Sequence, residues 1–208
     1  LVRSKPFLYY LLEYWYQQGI RKFILLIGYD YMKIVDYFRD TYKEASVQYS
    51  VEEYPLGTGG ALLKLVEDFN LEDRFVLLNG DSFIKITLEK LNFFYFAKNP
   101  DCILTLSSSF NTDRYMGCEI DKDERITGLN LKNKNNTKKN IFINSGVYLF
   151  TKHFFSGFRY KSFKNLSLEN TILMNELKNK NIYGLYTKES LIDIGIPEDY
   201  KRIQNFHF

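Results

Sequence analysis

Two runs, RKFILLIG (21–28) and RFVLLNGD (74–81), constrain this chain more than any other feature. Each is apolar over four or five successive residues, with no polar alternation. A strand of that kind needs cover on both faces, and such strands belong to sheets held between layers of helix. The flanking segments supply the helices. KPFLYYLLEYWYQQG (5–19) repeats apolar residues at Phe7, Leu8, Leu11, Leu12, Trp15 and Tyr16. Pro6 suits its first turn and Gly19 its stop. YMKIVDYFRDTY (31–42) and GALLKLVEDF (60–69) also have helical spacing, while VQYSVEE (47–53) alternates like a strand. Helix and strand thus alternate through the first ninety residues, the pattern of an α/β domain around a largely parallel sheet.

After a helix expected over 87–98, the second half changes character. DCILTLSSS (101–109), MGCEID (116–121), RITGLNL (125–131) and FINSGVYLF (142–150) read as four strands with little helix between them. SLENTILMNELKN (167–179) returns to helix with Ser167 as its N-cap, IYGLYT (182–187) and LIDIGI (191–196) read as strands, and PEDYKRIQNF (197–206) opens a last helix. With no repeat and no linker, the expectation is one domain over residues 1–208 with a mixed sheet.

Composition removes several function classes. The net charge of +3, from 28 basic and 25 acidic residues, is too mild for a nucleic-acid binder. The one basic run, LKNKNNTKKN (131–140), is Asn-rich and reads as a solvated loop. Cys102 and Cys118 sit in apolar strands without metal or redox spacing, so they read as reduced core thiols. His153 and His207 have no ligand spacing. No stretch approaches a membrane span and no secretory signal is visible, so the expected compartment is the cytoplasm. The opening LVRSKPFL reads as the interior of something longer.

Chemistry could reside in three places. LGTGG (56–60) lies between a strand and a helix, where glycines permit positive φ and could turn backbone N–H groups toward a ligand at a helix N-terminus. On spacing alone a tight strand-to-helix turn is the favoured reading. In LLNGDSF (77–83), Asp81 leaves the carboxyl end of a buried strand beside Gly80. That place suits a carboxylate holding Mg²⁺ against phosphates, or a turn cap. In LIDIGIPEDY (191–200), Asp193 lies between two isoleucines, and a buried carboxylate needs a partner or a cation. Asp81 and Asp193 together favour one divalent ion. Asn144, Ser145 and Glu169 offer groups that match sugar hydroxyls, and Gly146 would admit a ring. Equally, Asn-Ser-Gly is turn-like and Glu169 could belong to a capping box.

In this order, these segments resemble the sugar-nucleotide pyrophosphorylases, nucleotidyltransferases that join a sugar 1-phosphate to a nucleoside triphosphate. KPFLYYLLEYWYQQGI is similar to the K-P-hydrophobic helix, EYPLGTGGAL to the nucleotide-base loop E-x-P-L-G-T-(A/G)-G, and LNGDSF to the G-D metal segment. RYMGCEIDKDERITGLNLK resembles the Y-G-x-V stretch, FINSGVYLF the N-(A/S)-G-(I/V)-Y strand, and LIDIGIPEDY the closing D-I-G-(T/I)-P-E-D-Y. The likeness is colinear over essentially the whole chain, and its form is nearest to the heptose 1-phosphate guanylyltransferases.

The resemblance implies a single-domain, Rossmann-like three-layer α/β/α sandwich with a mixed, mostly parallel sheet. It implies that Gly57, Thr58, Gly59 and Gly60 line base and ribose, with Glu53, Pro55 and Leu56 shaping the loop and Asn79 and Gly80 beside the nucleotide. Asp81 and Asp193 would hold Mg²⁺, Lys132 would touch the sugar phosphate, and Gly117, Asn144, Ser145, Gly146 and Glu169 would surround the sugar. The implied reaction is GTP with D-glycero-D-manno-heptose 1-phosphate, giving GDP-heptose for surface polysaccharide and pyrophosphate. Thymidylyl or uridylyl transfer to a hexose 1-phosphate, or a degenerate sugar-nucleotide-binding regulatory domain, are the alternatives. Neither nucleic acid nor membrane is an expected partner. The aromatics of 93–96 and 154–163 fit either a contact between copies or core packing.

Three departures stand out. The family's first strand with its G-G-x-G-T-R phosphate loop and P-K-P lysine has no counterpart here, and an N-terminal portion is expected to lie outside this chain. The usual Glu-Lys pair reads Leu131-Lys132, and Thr171 replaces an acidic residue two positions after Glu169.

Overall fold

The computed structural model of the protein describes residues 1–108, 115, 117–131, 141–158 and 162–206. Helix α1 (Phe7–Gln17) follows directly on Pro6 and buries Phe7, Leu11, Leu12 and Trp15 along one face. It gives way at Gly19, whose φ of +96° ends the helical turn without a Cβ penalty. Strand β1 (Lys22–Ile27), helix α2 (Met32–Phe38), strand β2 (Thr41–Tyr42) and strand β3 (Ala45–Val51) follow. The helix expected to reach Tyr42 stops at Phe38. Arg39 takes a φ of +54°, and Thr41–Tyr42 then fold back antiparallel on Ala45–Ser46.

Helix α3 (Gly57–Asp68), strand β4 (Arg74–Leu78), strand β5 (Ser82–Phe83) and helix α4 (Leu88–Lys98) complete the first half. The second contains β6 (Cys102–Ser107), β7 (Gly117–Ile120), β8 (Ile126–Leu131) and the eleven-residue β9 (Ile141–Thr151). A π-helix (Leu168–Leu173) then runs into α5 (Met174–Glu176), where an ordinary helix was expected. Strand β10 (Ile182–Thr187), strand β11 (Ile192–Asp193) and helix α6 (Pro197–Ile203) end the order.

The strands form three ladders. β1 and β3 pair in parallel, Lys22 with Ser46 through Ile27 with Val51, and β2 extends them antiparallel. Six strands form the largest sheet, in the order β10–β6–β9–β7–β8 with β4 also on β9. Here β6 and β10 are parallel, and the pairs made by β9 are antiparallel. β5 and β11 form a separate two-stranded ribbon. The fold is the expected α/β arrangement with parallel and antiparallel pairs, and β1 and β4 are not paired with each other. The two face a common apolar cleft of about 850 Å³ that both line from end to end, together with Phe7, Leu11 and Trp15 of α1 and with Gly80 at its rim.

The register of β9 locates the site. β7 pairs with its first residues (Gly117 with Ile143, Glu119 with Ile141), and β4 pairs with its last (Leu78 with Val147, Arg74 with Thr151). Since β6 runs along β9 from Ile143 to Phe150, the other two share the opposite edge. That edge changes partner at Asn144–Gly146, where two neighbouring strands part. Such switch points open crevices in α/β sheets.

Tyr148, Phe150 and Phe154 are fully buried beside β9, with Phe155 packed on them. The aromatics of 154–155 are therefore core, whereas Phe93 and Phe96 are 78% and 72% exposed on α4. Cys102 and Cys118 are buried and form no disulfide, and burial pushes the Cys118 thiol up to about 12. His153 lies exposed on the surface, 3.9 Å from the Asp101 carboxylate. Among the described residues no helix is long and apolar enough to cross a membrane. Lys132, most of the basic run 131–140 and His207 lie outside the described residues.

Candidate active site

The glycines of LGTGG make close contact with the protein itself. A Cβ on Gly57 would lie 2.5 Å from the Leu166 carbonyl oxygen, and one on Gly60 would lie 2.0 Å from that of Phe163. A Cβ on Gly59 would meet Leu168 N at 2.9 Å and the Ile172 side chain at 2.8 Å. The amides expected to face a ligand point the same way. Gly59 N–H donates to Leu166 O at 2.8 Å and Gly60 N–H to the same oxygen at 3.3 Å, while Leu166 N–H returns a bond to Leu56 O at 2.9 Å. Backbone thus lies against backbone, and only residues without a Cβ allow it. Thr58 extends this clasp: its hydroxyl accepts from Leu168 N–H at 2.9 Å and lies 3.3 Å from Glu169 Oε2. On the outside, Lys164 Nζ sits 4.5 Å above the ring of Tyr54.

The approach of the loop is held by a residue that sequence reasoning missed. Glu52, half-buried just past β3, accepts from Leu56 N–H at 2.9 Å. Glu53 and Pro55, expected to shape the loop, are exposed, and Leu56 is buried. The Glu-Glu doublet at the strand end was the available signal; the odd phase of β3 (Ala45, Val47) pointed to Glu53, and it is the bond from Leu56 N–H that holds Glu52.

On β9, alternation separates three residues that were grouped as sugar-binding. Ser145 is buried and donates to Thr105 O at 2.8 Å, inside the bulge that interrupts the β6–β9 register. It faces away from Asn144 and is removed from the sugar-facing set. Gly146, with φ +75°, has no room for a ring at its Cα: a Cβ there would be 2.6–2.9 Å from the Asn79 side chain. Asn79 N–H also donates to Gly146 O at 2.8 Å. This glycine seats Asn79, which joins the end of β4 to the switch point. Gly117 is buried at the start of β7, opposite Ile143.

Asn144 and Glu169 remain at the crevice, linked by Tyr148. The Tyr148 hydroxyl donates to Glu169 Oε1 at 2.9 Å and accepts from Asn144 Nδ2. Glu169 Oε2 also takes the Ser167 hydroxyl at 3.2 Å. Ser167 caps the π-helix by accepting from Asn170 N–H at 3.0 Å, so the box expected with Glu169 does not form. Burial, then the neighbouring Glu169 carboxylate, raises the Tyr148 hydroxyl well above its ordinary value and keeps its proton in place. Glu169 is carried on a π-helix, a geometry that recurs at functional sites.

Two residues after Asn79, the β5–β11 ribbon brings the aspartates together. Asp193 pairs with Ser82, and Ile194 N–H donates to Asp81 O at 2.9 Å, so the backbones of Asp81 and Asp193 are diagonal neighbours across the ribbon. Asp193 is half-buried, and its Oδ1 accepts from Gly195 N–H at 2.9 Å. The argument from a buried, partnerless carboxylate does not apply to it, because β11 is two residues long and opens into a turn. Asp81 is exposed, and Gly80 before it has nothing within 4 Å of its missing Cβ. No group of three His, Cys, Asp or Glu side chains suited to a metal occurs among the described residues. Two carboxylates fit Mg²⁺, which takes one or two protein carboxylates and fills its octahedron with water and substrate phosphate.

Residues 1–207 match the family model described as nucleotidyl transferase. A D-glycero-alpha-D-manno-heptose 1-phosphate guanylyltransferase from Aneurinibacillus thermoaerophilus is 34% identical over 203 residues, covering 98% of this chain and 85% of the relative. The protein of that name from Campylobacter jejuni is 34% identical over 207 residues, covering 100% and 86%. The crystal structure of HddC from Yersinia pseudotuberculosis complexed with GMP-PN superposes with a TM-score of 0.80 at 28% identity, covering 98% of this chain and 86% of that one. This chain belongs to the nucleotidyl transferase family.

Proposed function

We propose that the protein transfers a guanylyl group from GTP to D-glycero-D-manno-heptose 1-phosphate, forming GDP-heptose and pyrophosphate. The observation that supports the chemistry is the backbone proximity of Asp81 and Asp193 across the β5–β11 ribbon, just past the strand that leads to Asn79. The choice of substrates rests on the two 34%-identical relatives and on the GMP-PN complex of the Yersinia protein. A phosphate oxygen of the sugar phosphate attacks the α-phosphorus; the new O–P bond forms as the bond to the β-phosphate oxygen breaks, and pyrophosphate leaves. The nucleophile is already ionised near neutral pH, so no general base is needed, and neither histidine is drawn into the mechanism.

The protein's share is alignment and charge. Asp81 and Asp193 would hold Mg²⁺, which supplies charge neutralisation at the phosphates when bound. Asn144 and Glu169 face the sugar hydroxyls, and Lys132 is assigned to the sugar phosphate. The loop from Leu56 to Gly60 supports the nucleotide. Since the amides of Gly59 and Gly60 are engaged with Leu166, its contribution is shape and an open surface more than N–H donation. A cytoplasmic place in the synthesis of a surface polysaccharide is part of the same reading.

Pyrophosphate release tests it, measured across four NTPs and a panel of sugar 1-phosphates with magnesium. GTP with the heptose 1-phosphate should give the highest kcat/KM. Asp81→Asn and Asp193→Asn should each lower kcat by at least about 100-fold, the scale of removing an electrostatic contact to a reacting group, with Tm unchanged. Near-wild-type turnover in either variant would remove the two-aspartate assignment, and no turnover with any pair would remove the catalytic one.

A further inference from the structure

We infer that Tyr148 is the positioning residue of the sugar subsite, its hydroxyl holding the Asn144 amide and the Glu169 carboxylate in the orientation that meets the sugar. The inference rests on the functional reading above and adds a residue that would not touch the substrate. Tyr148 is fully buried, its ring stacked on Phe150 with centroids 5.9 Å apart and planes at 23°. A buried phenol needs a partner for its O–H, and this one has two, on different elements: Asn144 on its own strand and Glu169 on the π-helix.

The directions of these bonds follow from the chemistry. An ionised carboxylate only accepts, so the Tyr148 proton lies toward Glu169, and the phenol oxygen receives the amide N–H₂ of Asn144. Asn144 Oδ1 is left toward Gly146 N–H, 3.3 Å away. The amide therefore has one orientation, and its second N–H has no partner among the described residues. Glu169 is held from the other side by Ser167 and Thr58, so its carboxylate is fixed by three hydroxyls from three segments. Through Thr58 the arrangement reaches the loop that supports the nucleotide. Groups that read sugar hydroxyls are effective only when their own rotamers are locked, and the phenol oxygen is the one group that holds both of them.

Tyr148→Phe removes that oxygen and keeps the ring. The expected result is a KM for the sugar 1-phosphate raised about tenfold, about 1.4 kcal/mol. The KM for the nucleotide should stay within about twofold and kcat within about threefold. Phe150→Leu is the control, because it loosens the same stack without touching the hydroxyl. It should lower Tm and leave the sugar-phosphate KM unchanged. A crystal structure of Tyr148→Phe should show Asn144 or Glu169 in a new rotamer. Unchanged KM, an equal KM effect in Phe150→Leu, unmoved side chains, or failure of Tyr148→Phe to fold would each overturn the inference. If the wild type turns over no substrate pair, the functional reading fails by itself, and the rotamers still decide what Tyr148 does.

Discussion

Gly60→Ala is the sharpest probe of how the LGTGG loop is built. The added methyl would lie 2.0 Å from the Phe163 carbonyl oxygen and 2.9 Å from Leu56 Cβ. The carbonyl cannot swing aside cheaply, because the bonds between Leu56, Gly59, Gly60 and Leu166 anchor its segment to the loop. Forcing an extra carbon into packed structure costs roughly 1–3 kcal/mol. If the segment moves away instead, up to three backbone hydrogen bonds weaken, at about 1 kcal/mol each. Alanine recovers about 1 kcal/mol of helix propensity over glycine. With the segment displaced the net loss is about 2 kcal/mol. For a chain of this size each kcal/mol lowers Tm by about 2–4 °C, so a fall of roughly 4–8 °C is expected in scanning calorimetry. Gly80→Ala is the matched control: nothing lies within 4 Å of its new carbon, and its stability should stay within about 0.5 kcal/mol of wild type. A Gly60→Ala protein melting within about 2 °C of wild type would refute the backbone-to-backbone contact.

Two further substitutions follow from groups away from the site. Thr105 Oγ1 is buried without a hydrogen-bond partner among the described residues, so Thr105→Val removes an unsatisfied hydroxyl at nearly constant shape. It should raise unfolding free energy by about 1 kcal/mol in urea titration; a loss of stability would mean that the hydroxyl has a partner. Burial works against the Glu13 carboxylate, but hydrogen bonds from Lys43, Tyr42 and Gln17 outweigh it and bring its pKa down from 4.5 to about 2. The folded value is the lower one, so this stabilisation is present above pH 4.5 and disappears as pH falls toward 2. After screening at this partly exposed pair it amounts to about 1–2 kcal/mol. Glu13→Gln should flatten stability against pH in that window, and an unchanged slope would count against the assignment.

Much of the fold was legible because the signals are local. The apolar runs at Phe23–Ile27 and Phe75–Leu78, the helical spacing after Pro6 and the glycine at 19 each act within a few residues. Their elements appear within a residue or two of expectation. The failures share a cause in longer-range contacts. Thr41–Tyr42 left the helical pattern because Ala45–Ser46 offered them a ladder. Asp193 was expected in a six-residue strand, but β5 has only two residues to pair with it. The helix expected at 167–179 begins as a π-helix, packed against glycines more than a hundred residues away.

In the candidate site, residue types were legible and their directions were not. The order of the segments, taken with the resemblance it carries, picked out Asp81, Asp193, Asn144 and Glu169 as candidates. It also determined that LGTGG must be small. What the glycines make room for was decided by tertiary structure, because nothing in residues 56–60 specifies that Phe163–Leu168 will lie against them. The same holds for Ser145, whose hydroxyl meets Thr105 O at the bulge, and for Glu52, which is held by the amide of Leu56 against the phase of β3. Tyr148 looked like one more apolar strand residue; only the packing of β9 against the π-helix gave its hydroxyl two partners. A sequence records which groups a chain carries and their local periodicity. Which way each group faces is settled by contacts between distant segments, because only these decide where a buried donor can find an acceptor.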